Sequence, residues 1–110
     1  MRDKETKASL RSDLNSVLIE GTISRSSEYT SYSEGIQAHL DFEVTSKRFN
    51  KAVCVNASTF TIEVVGKQAE NVWLKAKVGQ SVRIVGRLEG EANGFVKVIA
   101  EHIEFRVKQG

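Results

Sequence analysis

Apolar and polar residues alternate along most of the chain from residue 16 onward. The clearest stretch is residues 36–45, in which Ile36, Ala38, Leu40 and Phe42 alternate with polar side chains. Alternation over ten residues is typical of a half-buried strand, with one face on the core and the other in water. The pattern predicts a strand at this position.

The same period of two predicts four more strands. In the first of them, Gly21 stands among alternating apolar residues and suggests a bend or a bulge, because glycine packs nothing and accepts unusual dihedral angles. The Asn93-Gly94 pair predicts a tight turn between the last two strands. The further strands are predicted at residues 17–24, around the inward-facing Phe60, Ile62 and Val64, at 81–88, and at 95–100 with an extension over 101–107.

One segment has the period of a helix. Within residues 66–78, Ala69, Val72, Trp73 and Ala76 fall at i, i+3, i+4 and i+7, which places them on one apolar stripe. We interpret Trp73 as an anchor of the core. Gly79 follows at the position where a glycine cap ends a helix.

Polar segments separate these elements and mark the ends of the domain. A loop is predicted at residues 26–35 and a short basic loop at 47–51. Residues 1–14 carry too little apolar surface to offset the entropy of ordering, so we expect a flexible polar segment there. We expect one domain over residues 15–107, followed by a short end at 108–110 without an acidic tail.

The order of the predicted elements is three strands, one helix and two strands. Five antiparallel strands with a helix between the third and the fourth is the order of an all-β OB-fold barrel. A small antiparallel sandwich without closure would show the same periodicity and is the alternative architecture.

Composition narrows the class of protein. The 110 residues form one domain, and the single cysteine, Cys54, excludes an internal disulfide and suggests a reducing compartment, so we expect a cytoplasmic protein without a membrane segment. His39 and His102 have no second His or Cys at metal-ligand spacing, no nucleophile completes a triad, and the glycines form no phosphate loop. We therefore predict no metal, no other cofactor and no catalysis. The net charge of +2 still allows a local basic groove for nucleic acid.

Several segments combine into a longer pattern over residues 15–105. They are an asparagine, an apolar run and a glycine in residues 14–21, the alternating residues 41–45, Gly-Lys-x-Ala-Glu-x at 66–71, the strand at 78–88 and the closing residues 101–105. In order and spacing this pattern resembles the bacterial single-stranded DNA-binding protein family, the homo-oligomeric OB-fold proteins of replication. The resemblance implies binding of single-stranded DNA in replication, repair or recombination by a dimer or tetramer, with replication proteins as possible partners.

Three differences limit what this resemblance implies. The family's acidic tail, which recruits other replication proteins, does not appear in residues 108–110, so we expect the recruiting function to be either absent or removed by truncation. Residues 89–94 are too short for the family's extended arm with its base-stacking aromatic, and Thr59 and Val65 stand near positions where the family often has rings. The short chain is also similar to primosomal replication protein N, a small dimeric relative of the same fold whose binding relies more on basic side chains.

Binding of single-stranded nucleic acid requires cations along the phosphate path and flat rings for the bases. Residues 47–51 offer both, whereas Phe60 lies in the inward register, which favours a place in the core. Arg83 and Arg87 share one face of the fourth strand, where they would contact phosphates or pair with carboxylates of the second strand. The candidate nucleic-acid-binding residues are Arg25, Lys47, Arg48, Phe49, Lys51, Phe60, Lys67, Arg83, Arg87 and Lys97.

The predicted function is therefore binding of single-stranded DNA without sequence readout, through a basic groove with limited aromatic stacking. The rival prediction is an OB-fold adaptor that binds other proteins and has little affinity for DNA. Asp41 and Glu43 on the wet face of the second strand favour the rival, because carboxylates repel a polyanion unless they are neutralised.

Overall fold

A computed structural model describes residues 12–30 and 38–106 as a closed five-stranded barrel with one helix. The elements are β1 Val17–Thr30, β2 His39–Asn50, β3 Val53–Val65, α1 Gln68–Lys75, β4 Ser81–Gly90 and β5 Val96–Arg106. The strands follow the order β1-β2-β3-β5-β4, and β4 pairs with β1 to close the ring. The OB-fold barrel is thereby confirmed against the open sandwich. The predictions made for residues 1–11, 31–37 and 107–110 fall outside the described residues.

One pairing in the ring is parallel. β3 and β5 run in the same direction where Ile62 lies opposite Val98 and Glu63 opposite Ile99. The other neighbouring strands are antiparallel. The prediction of a purely antiparallel barrel was wrong at this seam for a topological reason. Strand directions cannot alternate all the way around a closed ring with an odd number of strands, so one pair must be parallel.

The strands bordering two predicted loops are longer than their sequence patterns indicate. β1 continues through Thr30, into the segment predicted as a loop from residue 26, and β2 starts at His39 and continues through Asn50. Most of the predicted basic loop at 47–51 is therefore strand. Residues 47–50 at the end of β2 are all exposed, and a strand without a buried face shows no hydrophobic period.

The register of β2 on β3 depends on one extra residue. Phe49 lies opposite Cys54, whereas its neighbour Arg48 lies opposite Asn56, so Val55 is the extra residue of a β-bulge. Beyond the bulge, apolar residues of the two strands face each other, and a slip by one residue would turn one set to water. The core pairs are Leu40 with Val64, Phe42 with Ile62, and Val44 with Phe60.

The core fills the barrel, and α1 covers part of it. The largest fully buried side chains are Phe42, Ile23, Leu40, Ile62, Ile84, Val44, Val64, Val82 and Val98. From the helix, Ala69, Val72 and Ala76 join this core. The described part of the chain has no helix that is long and apolar enough to cross a membrane.

Two predictions for the helical segment were wrong. Trp73 is 41% exposed and does not anchor the core, because the residues of this segment that are buried against the barrel are Ala69, Val72 and Ala76. The helix ends at Lys75 with Ala76 as its C-cap, so Gly79 does not cap it. Gly79 instead takes a φ of 94° in the following turn, where its N–H donates to the carbonyl oxygen of Ile23.

The ladder between β1 and β4 is extended by a side chain. The Asn15 Nδ2 donates to the Leu88 carbonyl oxygen at 2.8 Å, and the Asn15 Oδ1 accepts from the Leu88 N–H at 2.9 Å. These two bonds reproduce those of a hydrogen-bonded antiparallel pair. The asparagine therefore holds the chain against the sheet before β1 begins.

Two glycines allow close backbone approaches in the barrel. Gly21 is regularly paired with Val82 of β4, and the irregularities in the register of β1 lie beyond it, between Ile23 and Glu28 on the side of β2. The missing side chain of Gly21 makes room for the Thr45 carbonyl group of β2. At Gly86, a Cβ would collide with the Ile99 carbonyl oxygen of β5.

We expect Gly86→Ala to lower the free energy of unfolding by about 1–3 kcal/mol, because the backbone of β5 cannot yield easily to an added methyl group. Gly90→Ala on the same strand is the matched control, since nothing lies within 4 Å of a Cβ at that position. Urea denaturation measures both variants. Equal losses of stability would contradict the close approach at Gly86.

Candidate nucleic-acid interface

The β2–β3 hairpin continues beyond the barrel core. Every residue from 47 to 57 is exposed, although the two strands remain paired, for example at Lys47 and Ala57. We call residues 47–57 the hairpin arm. Its shape is held by backbone pairing and by the two-residue turn between Asn50 and Val53, with no buried apolar side chain.

The hairpin arm concentrates positive charge. Lys47 and Arg48 lie on β2, and Lys51 lies in the turn with a φ of 59°. The arm contains no Asp or Glu. Among the described side chains, those of residues 12–25 and 38–106, none forms an ion pair with any of its three cations. Their charges are therefore available to an anionic ligand.

An exposed ring lies among these cations. Phe49 is 57% exposed, and the alternation of β2 places it on the same side as Lys47 and opposite to Arg48. Val53, across the turn, is 64% exposed. A ring beside cations is the combination that single-strand binders use to hold a base and its phosphate.

Three candidate cations on the barrel wall, Arg25, Arg87 and Lys97, are paired with carboxylates. Arg25 lies 3.1 Å from the Glu43 carboxylate, and Lys97 lies 2.7 Å from that of Glu63. Arg87 lies 3.5 Å from Glu101 and 3.8 Å from Glu89. Arg87 and Lys97 thus pair with carboxylates of β3, β4 and β5 and not with Asp41 or Glu43 of β2.

The remaining candidates are spread over the fold. Lys67 is exposed at the N-cap of α1, and Arg83 is exposed on β4, opposite Glu20 of β1 and Glu104 of β5. Phe60 is half-buried and packs against the core, as its inward register predicts. The structure therefore brings together Lys47, Arg48, Phe49 and Lys51, and it does not join the other six to them.

A polar cluster on the outer face of the sheet was not predicted. The Glu63 Oε1 accepts a hydrogen bond from the Lys97 Nζ at 2.7 Å and lies 3.6 Å from the His39 Nε2. The same His39 Nε2 lies 3.0 Å from the Asp41 Oδ2. We call His39, Asp41, Glu63 and Lys97 the outer cluster. Glu63 is only 8% exposed, so these neighbours are needed to compensate a buried charge.

The hydrogen bond to Glu63 raises the pKa of Lys97 above its usual 10.5, against an opposing effect of burial. The folded structure therefore stabilises the charged form of Lys97. Residues from three strands meet in this cluster, so spacing along the sequence could not reveal it. The one available signal was the charged Glu63 inside the apolar run 62–65.

A second exposed ring lies at the β4–β5 turn. The Glu91 N–H donates to the Phe95 carbonyl oxygen at 2.7 Å, and Gly94 takes a φ of 89°, which confirms the predicted tight turn at Asn93-Gly94. Phe95 directly after this turn is 70% exposed. Phe95 was not among the predicted site residues, although it directly follows the short loop 89–94 in the sequence.

Comparison with known proteins agrees with this geometry. The sequence model described as "Single-strand binding protein family" matches residues 14–105. The chain belongs to the single-strand binding protein family. The resemblance noted in the sequence is thus confirmed. No curated protein matches the sequence significantly.

Solved structures of family members share the fold. The small single-stranded DNA-binding protein from Streptomyces coelicolor has a TM-score of 0.77 and 17% identity over 90% of this chain and 100% of its own. The single-strand binding domain of a protein from Synechococcus sp. has a TM-score of 0.68 and 14% identity over 84% of this chain and 97% of its own. A deletion mutant of the single-stranded DNA-binding protein from Thermus aquaticus has a TM-score of 0.72 and 25% identity over 88% and 52%.

We expect Lys97→Met to lower the free energy of unfolding at pH 7 by about 1–3 kcal/mol, because Glu63 would keep its burial and lose a charged hydrogen-bond donor. Lys77→Met removes an exposed lysine and is the control. The raised pKa of Lys97 means that its contribution is present at neutral pH and is lost as pH rises through that pKa, above 10.5. In urea denaturation between pH 7 and 11, the free energies of unfolding of the wild type and of Lys97→Met should converge as the pH rises. A difference that widens with pH would contradict this assignment.

Proposed function

We propose that this chain binds single-stranded DNA without sequence preference and that the hairpin arm is its main contact with the phosphates. The observation that carries the proposal is a set of three cations that form no ion pair with any described side chain and lie around an exposed ring, Phe49, on a chain of the single-strand binding protein family. Such a surface offers contacts to the backbone and to any base, which are the contacts of sequence-tolerant binding.

The arrangement of charge favours the hairpin arm over the barrel wall. A phosphate that approaches Lys97 must compete with Glu63 at 2.7 Å, and one that approaches Arg25 must compete with Glu43 at 3.1 Å. No such competition exists among the described residues at the arm. The ion pairs also neutralise carboxylates that would repel a polyanion. We therefore assign Arg25, Arg87 and Lys97 a secondary role as neutralising residues.

The rings divide in the same way. Phe49 and Phe95 present enough surface to stack on bases, at 57% and 70% exposure, and we propose both as platforms. Phe60 is better placed to support the core. Lys67 and Arg83 stay candidate phosphate contacts, since both are exposed and neither has an ion pair among the described residues.

The family suggests the wider role. We propose that the chain acts by binding, without catalysis, in replication, repair or recombination. We propose a dimer or a tetramer, and Leu18 on the outer face of β1, 57% exposed, is a candidate contact between subunits. The cytoplasmic location, the replication partners, the flexible residues 1–14 and the limits of the binding domain stay predictions.

A role as a protein adaptor is the second candidate. Three large apolar side chains are exposed around the end of α1: Trp73 at 41%, Leu74 at 60% and Val78 at 59%. Exposed apolar side chains that lie together are typical of a protein interaction site. This surface favours a protein partner and lies on elements separate from the hairpin arm. The two functions are therefore separable by mutation.

Fluorescence anisotropy of a labelled oligothymidine tests the proposal. The logarithm of the association constant should fall linearly with the logarithm of salt concentration, with a slope of about −0.7 for each phosphate contact to a single strand. Binding that is absent at low salt, or that does not respond to salt, would overturn the proposal and leave the adaptor role in front.

The double variant Lys47→Ala/Arg48→Ala should weaken binding at low salt and reduce the salt slope by about 1.4, because two phosphate contacts are lost. Arg106→Ala is the control, since Arg106 is held by Glu20 at 2.8 Å. Its slope should equal that of the wild type. If the single loss of charge at Arg106 reduced the slope by half as much as the double variant does, affinity would depend on overall charge and not on the arm.

Phe49→Ala should weaken binding by about 5- to 150-fold, which corresponds to the loss of about 1–3 kcal/mol of stacking. The salt slope should not change, because no charge is removed. Val53→Ala is the control for lost apolar surface on the same arm. Equal effects of the two substitutions would show that Phe49 contributes area and no stacking.

A further inference from the structure

The outer cluster contains three side chains that can ligate a metal. One ligand atom from each of His39, Asp41 and Glu63 lies within 4.8 Å of the other two. The distances from the His39 Nε2 are 3.0 Å to the Asp41 Oδ2 and 3.6 Å to the Glu63 Oε1. In tetrahedral zinc sites, bond lengths of 2.0–2.2 Å separate neighbouring ligand atoms by about 3.4 Å. Two of the three distances lie on either side of this value, and the third, between the carboxylate oxygens of Asp41 and Glu63, is within 4.8 Å.

We propose that His39, Asp41 and Glu63 form a binding site for a divalent transition-metal ion, with Zn²⁺ as the reference ion. An imidazole nitrogen with two carboxylate oxygens suits such an ion, whereas Mg²⁺ and Ca²⁺ prefer oxygen ligands alone. Three protein ligands leave the fourth tetrahedral position to water.

The sheet holds the three ligands in place before an ion arrives. His39 and Asp41 are two residues apart on β2 and so share a face, and Glu63 lies directly opposite Asp41 on β3. Backbone pairing on both strands fixes these positions. The Glu63 side chain is only 11% exposed, whereas those of His39 and Asp41 are 34% and 47% exposed. An ion can therefore enter from the solvent side of the imidazole and reach a carboxylate that is nearly buried.

Lys97 competes with the ion for Glu63. Its Nζ lies 2.7 Å from the Glu63 Oε1, so an ion that binds this oxygen must displace the ammonium group. Glu89 lies directly opposite Lys97 on β4 and can receive it. Binding therefore exchanges one cation for another at Glu63 and moves the lysine charge along the sheet.

The exchange has a consequence that rests on the proposed function. A divalent ion would neutralise both Asp41 and Glu63 and add positive charge to the sheet face beside the hairpin that carries the arm. Zn²⁺ should then strengthen the binding of oligothymidine. The metal experiment itself is done without DNA, so its failure is distinct from a failure of the anisotropy titration.

The test measures metal binding directly, in a Cys54→Ser background that removes the exposed thiol as a competing ligand. Zn²⁺ is titrated against a chromophoric chelator, and Co²⁺ is used in parallel for the visible absorption of a tetrahedral site. We expect one ion per chain. His39→Gln and Asp41→Asn should each weaken binding by at least about tenfold, since loss of an outer-shell partner alone has an effect of that size.

Two variants control for general effects of charge and histidine content. Glu43→Gln changes the next outward carboxylate of β2, and His102→Gln changes the other histidine. Both should bind as the background protein does. Absence of Zn²⁺ binding, or equal binding by His39→Gln and the controls, would overturn the proposal.

Displacement of the lysine gives a test in the opposite direction. Lys97→Met removes the competitor of the ion and should raise the affinity for Zn²⁺, provided that circular dichroism shows the variant to be folded. If it is not folded, Lys97→Arg serves, which should lower the affinity because a guanidinium holds a carboxylate in two places. Unchanged affinity in the folded variant would overturn the exchange at Glu63.

Discussion

The pairing of β2 with β3 is the constraint on which the core, the outer cluster and the hairpin arm all depend. A two-residue turn alone would place odd-numbered residues of one strand opposite even-numbered residues of the other, and Leu40 would then face Glu63. The extra residue Val55 changes this parity, so that Leu40 faces Val64 and Asp41 faces Glu63. One bulge thus decides which side chains fill the barrel and which meet on its wall.

Much of this fold could be predicted from the sequence, because a buried face leaves a period. The alternation from Leu40 to Val44 gave β2, and the same rule located the strands of the β4–β5 hairpin and its turn at Gly94. The order of elements then indicated a closed barrel. Where both faces meet water the period disappears, which is why the arm was mistaken for a loop. The parallel seam follows from counting strands in a ring, not from any residue.

The candidate site was less predictable, because availability of charge is a property of neighbours in space. No feature of the sequence distinguishes Lys97 from Lys47 as a candidate cation. In the structure, however, Glu63 pairs with Lys97, whereas no described carboxylate pairs with Lys47. Ion pairing of this kind depends on register between strands that are distant in the chain. Trp73 is a similar case. The helical period places it on the apolar side of the helix, but the period does not show which residues of that side contact the barrel, and Trp73 stays partly exposed.

The separation of the hairpin arm from the core has a consequence for the evolution of this protein. Residues 47–57 contribute no buried side chain, and substitutions at exposed positions usually change stability by less than about 0.5 kcal/mol. Substitutions in the arm can therefore change the affinity for the ligand, the length of strand that is bound or the class of ligand, while the barrel stays folded. A family built in this way can diverge far in sequence and retain one architecture, as the 14–25% identities to its structural relatives illustrate.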